Sequence, residues 1–199
     1  MLSLTFIALL FTTNLDATKP ELTLCQGQFA LCAAATCKPT GRMMPGTKFP
    51  EVVCECPVLP GPALADVTGG NMQGDCTAPV DPATKKTGVW SLFWPRFDIP
   101  QKLNGHWRKN AAALPHNCPA VDSSGEQVQF AQCFSFACRN VRTVEGVTIA
   151  DCYCPAQTLP AQSKNTQFAV QAGQCQSGVC SQYPVGAPFV VPGDVCAKR

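Results

Sequence analysis

Fourteen cysteines in 199 residues constrain this chain more than any other feature. The count is even, and in an oxidising compartment it implies seven disulfides. Their positions repeat. Phe29-Ala30-Leu31-Cys32, Cys37, Cys54-Glu55-Cys56-Pro57 and Gly74-Asp75-Cys76 are matched by Phe130-Ala131-Gln132-Cys133, Cys138, Cys152-Tyr153-Cys154-Pro155 and Gly173-Gln174-Cys175, with cysteine offsets of 101, 101, 98, 98 and 99 residues. Spacing this regular reads as two copies of one module.

Four segments follow from that reading. Residues 1–17 are expected to be a secretory signal peptide, because Leu2 to Phe11 is apolar apart from Ser3 and Thr5, is too short to span a bilayer and leads to a small residue at Ala17. Residues 18–78 form a Cys-rich module A, 79–117 an inter-module segment, and 118–199 a Cys-rich module B with a C-terminal extension. The modules hold six and eight cysteines, so every bridge can close within its own copy. The surplus pair, Cys180 and Cys196, is expected to staple the extension. Units of this size bury too little apolar surface to be secure alone, which is the physical reason for bridges. No later stretch approaches a membrane helix's length of apolar residues either, and the end at Ala197-Lys198-Arg199 is not expected of a lipid-anchored chain.

The fold class expected is mainly β and disulfide-rich, with each small module built around a β-hairpin. In module B, Val128, Phe130, Phe134, Phe136 and Cys138 share one parity, the period of a half-buried strand, and Val141 to Cys154 continues with Val, Thr and Ile around Glu145-Gly146. A three-residue loop at Val144-Glu145-Gly146 would set Cys138 opposite Cys152, and a tip at Pro45-Gly46 would set Cys37 opposite Cys54. Facing residues of antiparallel strands lie within disulfide reach, so Cys37–Cys54 and Cys138–Cys152 are expected as cross-strand bridges. Neighbours two apart on one strand cannot close on each other. Cys56 and Cys154 must therefore reach elsewhere, with Cys32 and Cys133 or Cys76 and Cys175 as candidate partners; spacing does not fix connectivity beyond the hairpin pairs.

The inter-module segment has no cysteine between Thr77 and Asn117, yet it holds all three tryptophans, Trp90, Trp94 and Trp107, and a net charge of +4. Two readings compete. Trp90, Phe93, Trp94, Arg96, Trp107 and Arg108 could make a contact surface for a protein or a cell-surface polymer. Alternatively, Trp90, Leu92, Phe93 and Trp94 pack inward and join the copies, leaving the cations solvated.

Charged residues are only 14% of the chain, and without the leader the net charge is +3, too weak to capture a polyanion; no nucleic-acid partner is expected. An apolar content of 46% argues against disorder. No catalytic residue suggests itself: a nucleophilic thiol needs an unpaired cysteine beside a histidine, Asp122-Ser123-Ser124-Gly125 is a turn rather than a nucleophile elbow, and Gly69-Gly70-Asn71 lacks the Lys-Ser/Thr of a phosphate loop. Neither metal nor cofactor is expected, because the Cys-x₂-Cys pairs of zinc ribbons are missing. The function expected is a secreted or extracytoplasmic, non-enzymatic binding or structural protein. One alternative is a secreted inhibitor or effector presenting the constrained loop Arg42-Met43-Met44-Pro45; another is a metal-thiolate or redox protein using free thiols.

Overall fold

The computed structural model describes residues 22–32, 35–67, 72, 74–93, 98–117, 129–158 and 167–171. These carry strands β1 (Leu22–Cys25), β2 (Gln28–Ala30), β3 (Thr36–Met43), β4 (Pro50–Pro60), β5 (Ala63–Asp66), β6 (Val89–Ser91), β7 (Asp98–Leu103), β8 (His106–Asn117), β9 (Gln129–Ala131), β10 (Phe136–Val144), β11 (Val147–Thr158) and β12 (Gln167–Gln171). No helix occurs among the described residues, and hence none long and apolar enough to cross a membrane. The mainly β class holds.

Both hairpins reach their register by a route the sequence reading did not anticipate. In β10–β11, Val144 pairs with Val147, so the loop is the two residues Glu145-Gly146, with φ of 51° and 74°, and not three. Two consecutive positive φ values make a primed turn, whose twist matches that of the strands it joins. The register shift lies lower, between Arg139 and Arg142, where Asn140 takes φ 54°. That β-bulge restores the pairing of Cys138 with Cys152. In β3–β4 the tip is at Pro45-Gly46, where the Met44 carbonyl accepts from the Thr47 N–H at 3.1 Å and Gly46 has φ 74°. Proline then glycine with positive φ is the demand of a type II turn. A shift between Pro39 and Met43, containing Gly41 at φ 76°, returns Cys37 to Cys54.

The two halves pair alike. Gln28 faces Pro60 and Ala30 faces Val58 in β2–β4; Gln129 faces Thr158 and Ala131 faces Ala156 in β9–β11. The Leu31 N–H donates to the Pro57 carbonyl at 2.9 Å as that of Gln132 does to Pro155 at 3.0 Å. β4 and β11 then pair with each other, Cys54 opposite Cys152, flanked by Val52 opposite Cys154 and Cys56 opposite Ala150. Residues at matching places in the two hairpins thus face one another, and the pairs on either side exchange partners, which is the register of a local two-fold axis.

The seven-stranded sheet runs β3-β4-β2-β6-β10-β11-β9, and the additional β4–β11 pairing closes β4, β2, β6, β10 and β11 into a ring. Within it lies a core of Ala30, Val52, Val58, Val89, Ala131, Ala150 and Ala156 with eight half-cystines. The aliphatic members are all Ala or Val, since sulfur fills the space between closely approaching strands. A second core gathers Phe29, Leu31, Leu59, Met72 and Leu92 beneath the β1–β5 pair. A third is Trp107 on Val147 and Ile149. β12, β8 and β7 make a separate three-stranded sheet, in which β7 and β8 turn at Asn104-Gly105 with φ of 51° and 83°.

Candidate functional site

The sulfur stack is the most distinctive feature of the molecule. Cys32–Cys56, Cys37–Cys54, Cys133–Cys154 and Cys138–Cys152 are bridged, with Cα separations of 4.7, 4.0, 4.9 and 4.0 Å. Cys56 and Cys154 take the first of the two partners open to them, for Cys76 bridges Cys25 instead. Cys180 and Cys196 lie outside the described residues. Strand alternation puts Cys54 and Cys56 on one face of β4, and Cys152 and Cys154 on one face of β11; the two-fold register brings both sets to the same interior. The Sγ atoms of Cys54 and Cys133, from different bridges, are 3.6 Å apart.

Two groups of three sulfurs, Cys32, Cys56 and Cys152 and then Cys54, Cys133 and Cys154, each lie within 4.8 Å of one another. Metal-ligand distances alone would fit such triads. A soft metal binds thiolate, however, and each of these sulfurs is held in a disulfide. The stack in this state offers no ligand set.

Outside the ring, β4 and β11 present a polar network. Glu55 and Asp151 face each other directly, an unfavourable placement for two carboxylates. Arg142 resolves it, at 3.1 Å from Glu55 Oε1 and 2.7 Å from Asp151 Oδ1, while Lys102 Nζ reaches Glu55 Oε2 at 2.6 Å. Asn140 Nδ2 donates to Asp151 Oδ2 at 2.8 Å. The bulge at Asn140 and Val141 shifts the alternation of β10 and turns Arg142 to this side. Beside the network, the Arg139 guanidinium lies 5.6 Å from the centre of the Tyr153 ring.

The β7–β8 turn docks on the β10–β11 turn through Glu145. Its Oε1 is 2.8 Å from His106 Nδ1, and its Oε2 accepts from the Trp107 backbone N–H. The hydrogen bond from His106, reinforced by that from Trp107, holds the Glu145 carboxyl below the usual carboxylate range.

The aromatic segment divides between cores. Trp90 is half-buried against the second core, and its indole N–H donates to the Thr77 carbonyl at 2.7 Å. Phe93 is half-buried and bridges Leu64 through both backbone bonds, at 2.8 and 3.1 Å. Trp107 is 7% exposed in the third core, whereas Arg108 is exposed. Trp94 and Arg96 lie outside the described residues. Trp90 and Trp107 therefore do not share one surface. Trp90 belongs to β6, which pairs with β2 of one half and β10 of the other. At the β3–β4 tip, Arg42 turns back onto Glu51 at 2.8 Å, leaving Met43 as the exposed apolar residue at 56%.

Sequence reading missed the Glu55–Arg142–Asp151 network, which depends on a bulge and on the pairing of strands distant in the chain. It also missed the β7–β8 hairpin, although Asn104-Gly105 between Leu103 and His106 is a strong short-range hairpin signal. No protein-family model, curated protein or solved structure matches the chain.

Proposed function

We propose that the chain is a secreted or extracytoplasmic, disulfide-stabilised tandem-repeat protein with a binding or structural role and no catalytic one. The observation that carries this reading is the stack of four bridges filling the core shared by the two halves. Such a core needs oxidised thiols, and oxidation persists outside the cytosol. The matching registers of β2–β4–β3 and β9–β11–β10 support descent of both halves from one module. The partner proposed is a protein or a cell-surface polymer, met by Trp94, Arg96 and Arg108 of the inter-module segment.

Export and binding are tested together. The full chain, expressed in its own source with and without residues 1–17, is fractionated and alkylated without reductant. Exported protein with no added label is expected; cytosolic protein with labelled cysteines overturns the reading. Purified chain retained on native surface material should lose about tenfold or more of that retention when Trp94, Arg96 and Arg108 are replaced by Ala, in the range of interface anchors. Equal retention removes that surface.

A second reading keeps the β3–β4 tip as a loop presented to a partner enzyme. It is favoured by the exposure of Met43 and by a tip braced at both ends, where the Met44 N–H donates to the Phe49 carbonyl at 2.9 Å and Cys37–Cys54 closes the hairpin below. Inhibition across a protease panel, lost on Met43→Ala, would favour it over the first.

A further inference from the structure

The stack is close to symmetric in its bonding and asymmetric in its access. Seven of its eight cysteines are 0–3% exposed, but Cys37 is only half-buried. The cause lies in the topology. β10 is covered on one edge by β11 and on the other by β6, which sets Val89 against Cys138; among the described residues β3 pairs with β4 alone. The counterpart of Cys37 is thus sealed by a strand with no equivalent beside Cys37 among the described residues.

We infer that the stack is a thiol-exchange site entered at Cys37, where a small thiol adds and the sulfur bonding inside re-forms as Cys54–Cys133. An incoming thiolate attacks Cys37 Sγ, forms a mixed disulfide there and breaks Cys37–Cys54. Cys54 leaves as a thiolate in a buried site where water cannot stabilise its charge, which makes further reaction favourable. The Sγ of Cys133 is 3.6 Å away. Because Cys54, Cys133 and Cys154 lie within 4.8 Å of one another, Cys54 flanks the Cys133–Cys154 bond and must swing onto its extension to attack. Rotation about its Cα–Cβ bond, which the link to Cys37 prevents, does this. Attack forms Cys54–Cys133 and expels Cys154 as a thiolate, which takes up the proton the small thiol gave away. One sulfur–sulfur bond breaks and one forms in each step. The sum is addition of one thiol, with no net oxidation or reduction. The new bridge joins the two halves directly, where the old ones joined strands within each half. Cys76 is also half-buried, but its partner Cys25 belongs to the second core, so opening that bridge ends there.

Oxidised full-length protein is exposed briefly to limiting glutathione, quenched with an alkylating reagent and digested without reduction for peptide mapping. Expected are glutathione on Cys37, about tenfold more than on Cys138, the alkyl label on Cys154, and a peptide pair joined through Cys54–Cys133. Glutathione on Cys37 with the alkyl label on Cys54 overturns the exchange; absence of glutathione from Cys37 overturns the entrance. In Cys37→Ser the first step is already done, so the purified variant should carry Cys54–Cys133 and label at Cys154. Label at Cys54 with Cys133–Cys154 intact refutes the inference. If that variant does not fold, the experiment on the unaltered protein decides alone.

Discussion

Removing the two hairpin bridges in turn tests whether the halves are held by the same physics. The perturbations are Cys37→Ala with Cys54→Ala, and Cys138→Ala with Cys152→Ala, each leaving no unpaired thiol. The bridges span 17 and 14 residues. For loops of that length, chain entropy assigns about 3 kcal/mol to each, with a difference of only about 0.2 kcal/mol between them. The packing terms match at Cys54 and Cys152, both fully buried and facing each other across β4 and β11, but not at their partners, since Cys138 is buried beneath β6 and Cys37 is half-buried. Each variant should lose about 3–4 kcal/mol, with the greater loss, by about 1 kcal/mol at most, on removal of Cys138–Cys152, whose outer sulfur is the more buried. Guanidinium unfolding under non-reducing conditions, followed by tryptophan fluorescence, provides the assay, because Trp90 and Trp107 report on two different cores. With all four residues replaced, the loss should depart from additivity by about 0.5 kcal/mol or more, since contacting groups couple. A gap of about 2 kcal/mol between the two variants, or a loss below about 1 kcal/mol in either, would refute the reasoning.

Three further outcomes follow from single positions. A Cβ on Gly88 would overlap the Cys138 carbonyl oxygen, so Gly88→Ala must push β6 from β10; a loss of about 2 kcal/mol or more is expected, read from the same unfolding curves. Gln101 is 2% exposed and neither atom of its amide has a hydrogen-bond partner, so Gln101→Met should gain about 1 kcal/mol; a loss instead would mean that the amide is satisfied in solution, by water for example. Glu145 has a carboxyl held below its ordinary value by His106 and the Trp107 N–H, so its contribution is present above the ordinary carboxylate range and lost as pH falls through the lowered folded value. Unfolding midpoints from neutral to acid pH should therefore drop less steeply for Glu145→Gln, and an unchanged slope would remove Glu145 from the docking of the two turns.

The parts of the fold visible in the sequence are those set by spacing. Cysteine offsets and turn residues locate both hairpins and face Cys37 with Cys54 and Cys138 with Cys152. In the second hairpin that facing came from a loop one residue too long, compensated by a bulge not foreseen: Asn140 adopts a left-handed conformation that asparagine tolerates. What spacing cannot supply is contact between the halves. Nothing local in Pro50 to Pro60 indicates that one edge will pair with β11, because both edges of a strand carry the same donors and acceptors. Trp107 illustrates the limit for site residues. Its sequence neighbours are cationic, which suggested a surface, whereas its indole is buried by Val147 and Ile149, forty residues further along the chain.

The two-fold register also accounts for where the halves differ. On the inner face, corresponding positions are the same or nearly so: Ala30 and Ala131, Cys32 and Cys133, Cys54 and Cys152, Cys56 and Cys154, with Val52 and Val58 against Ala150 and Ala156. Cys54 meets Cys152 there, while Val52 meets Cys154 and Ala150 meets Cys56, so enlarging a residue of one half would crowd the other. On the outer face all three central pairs differ, Glu51 against Ile149, Val53 against Asp151 and Glu55 against Tyr153. The difference has structural use: Ile149 receives Trp107, and Glu55 takes Lys102 from the neighbouring β7. A face with two-fold symmetric side chains would offer β7 and β8 two equivalent seats, one on each half. Unlike outer residues leave a single seat, so the sulfur core makes the halves alike while the outer face gives the molecule one orientation.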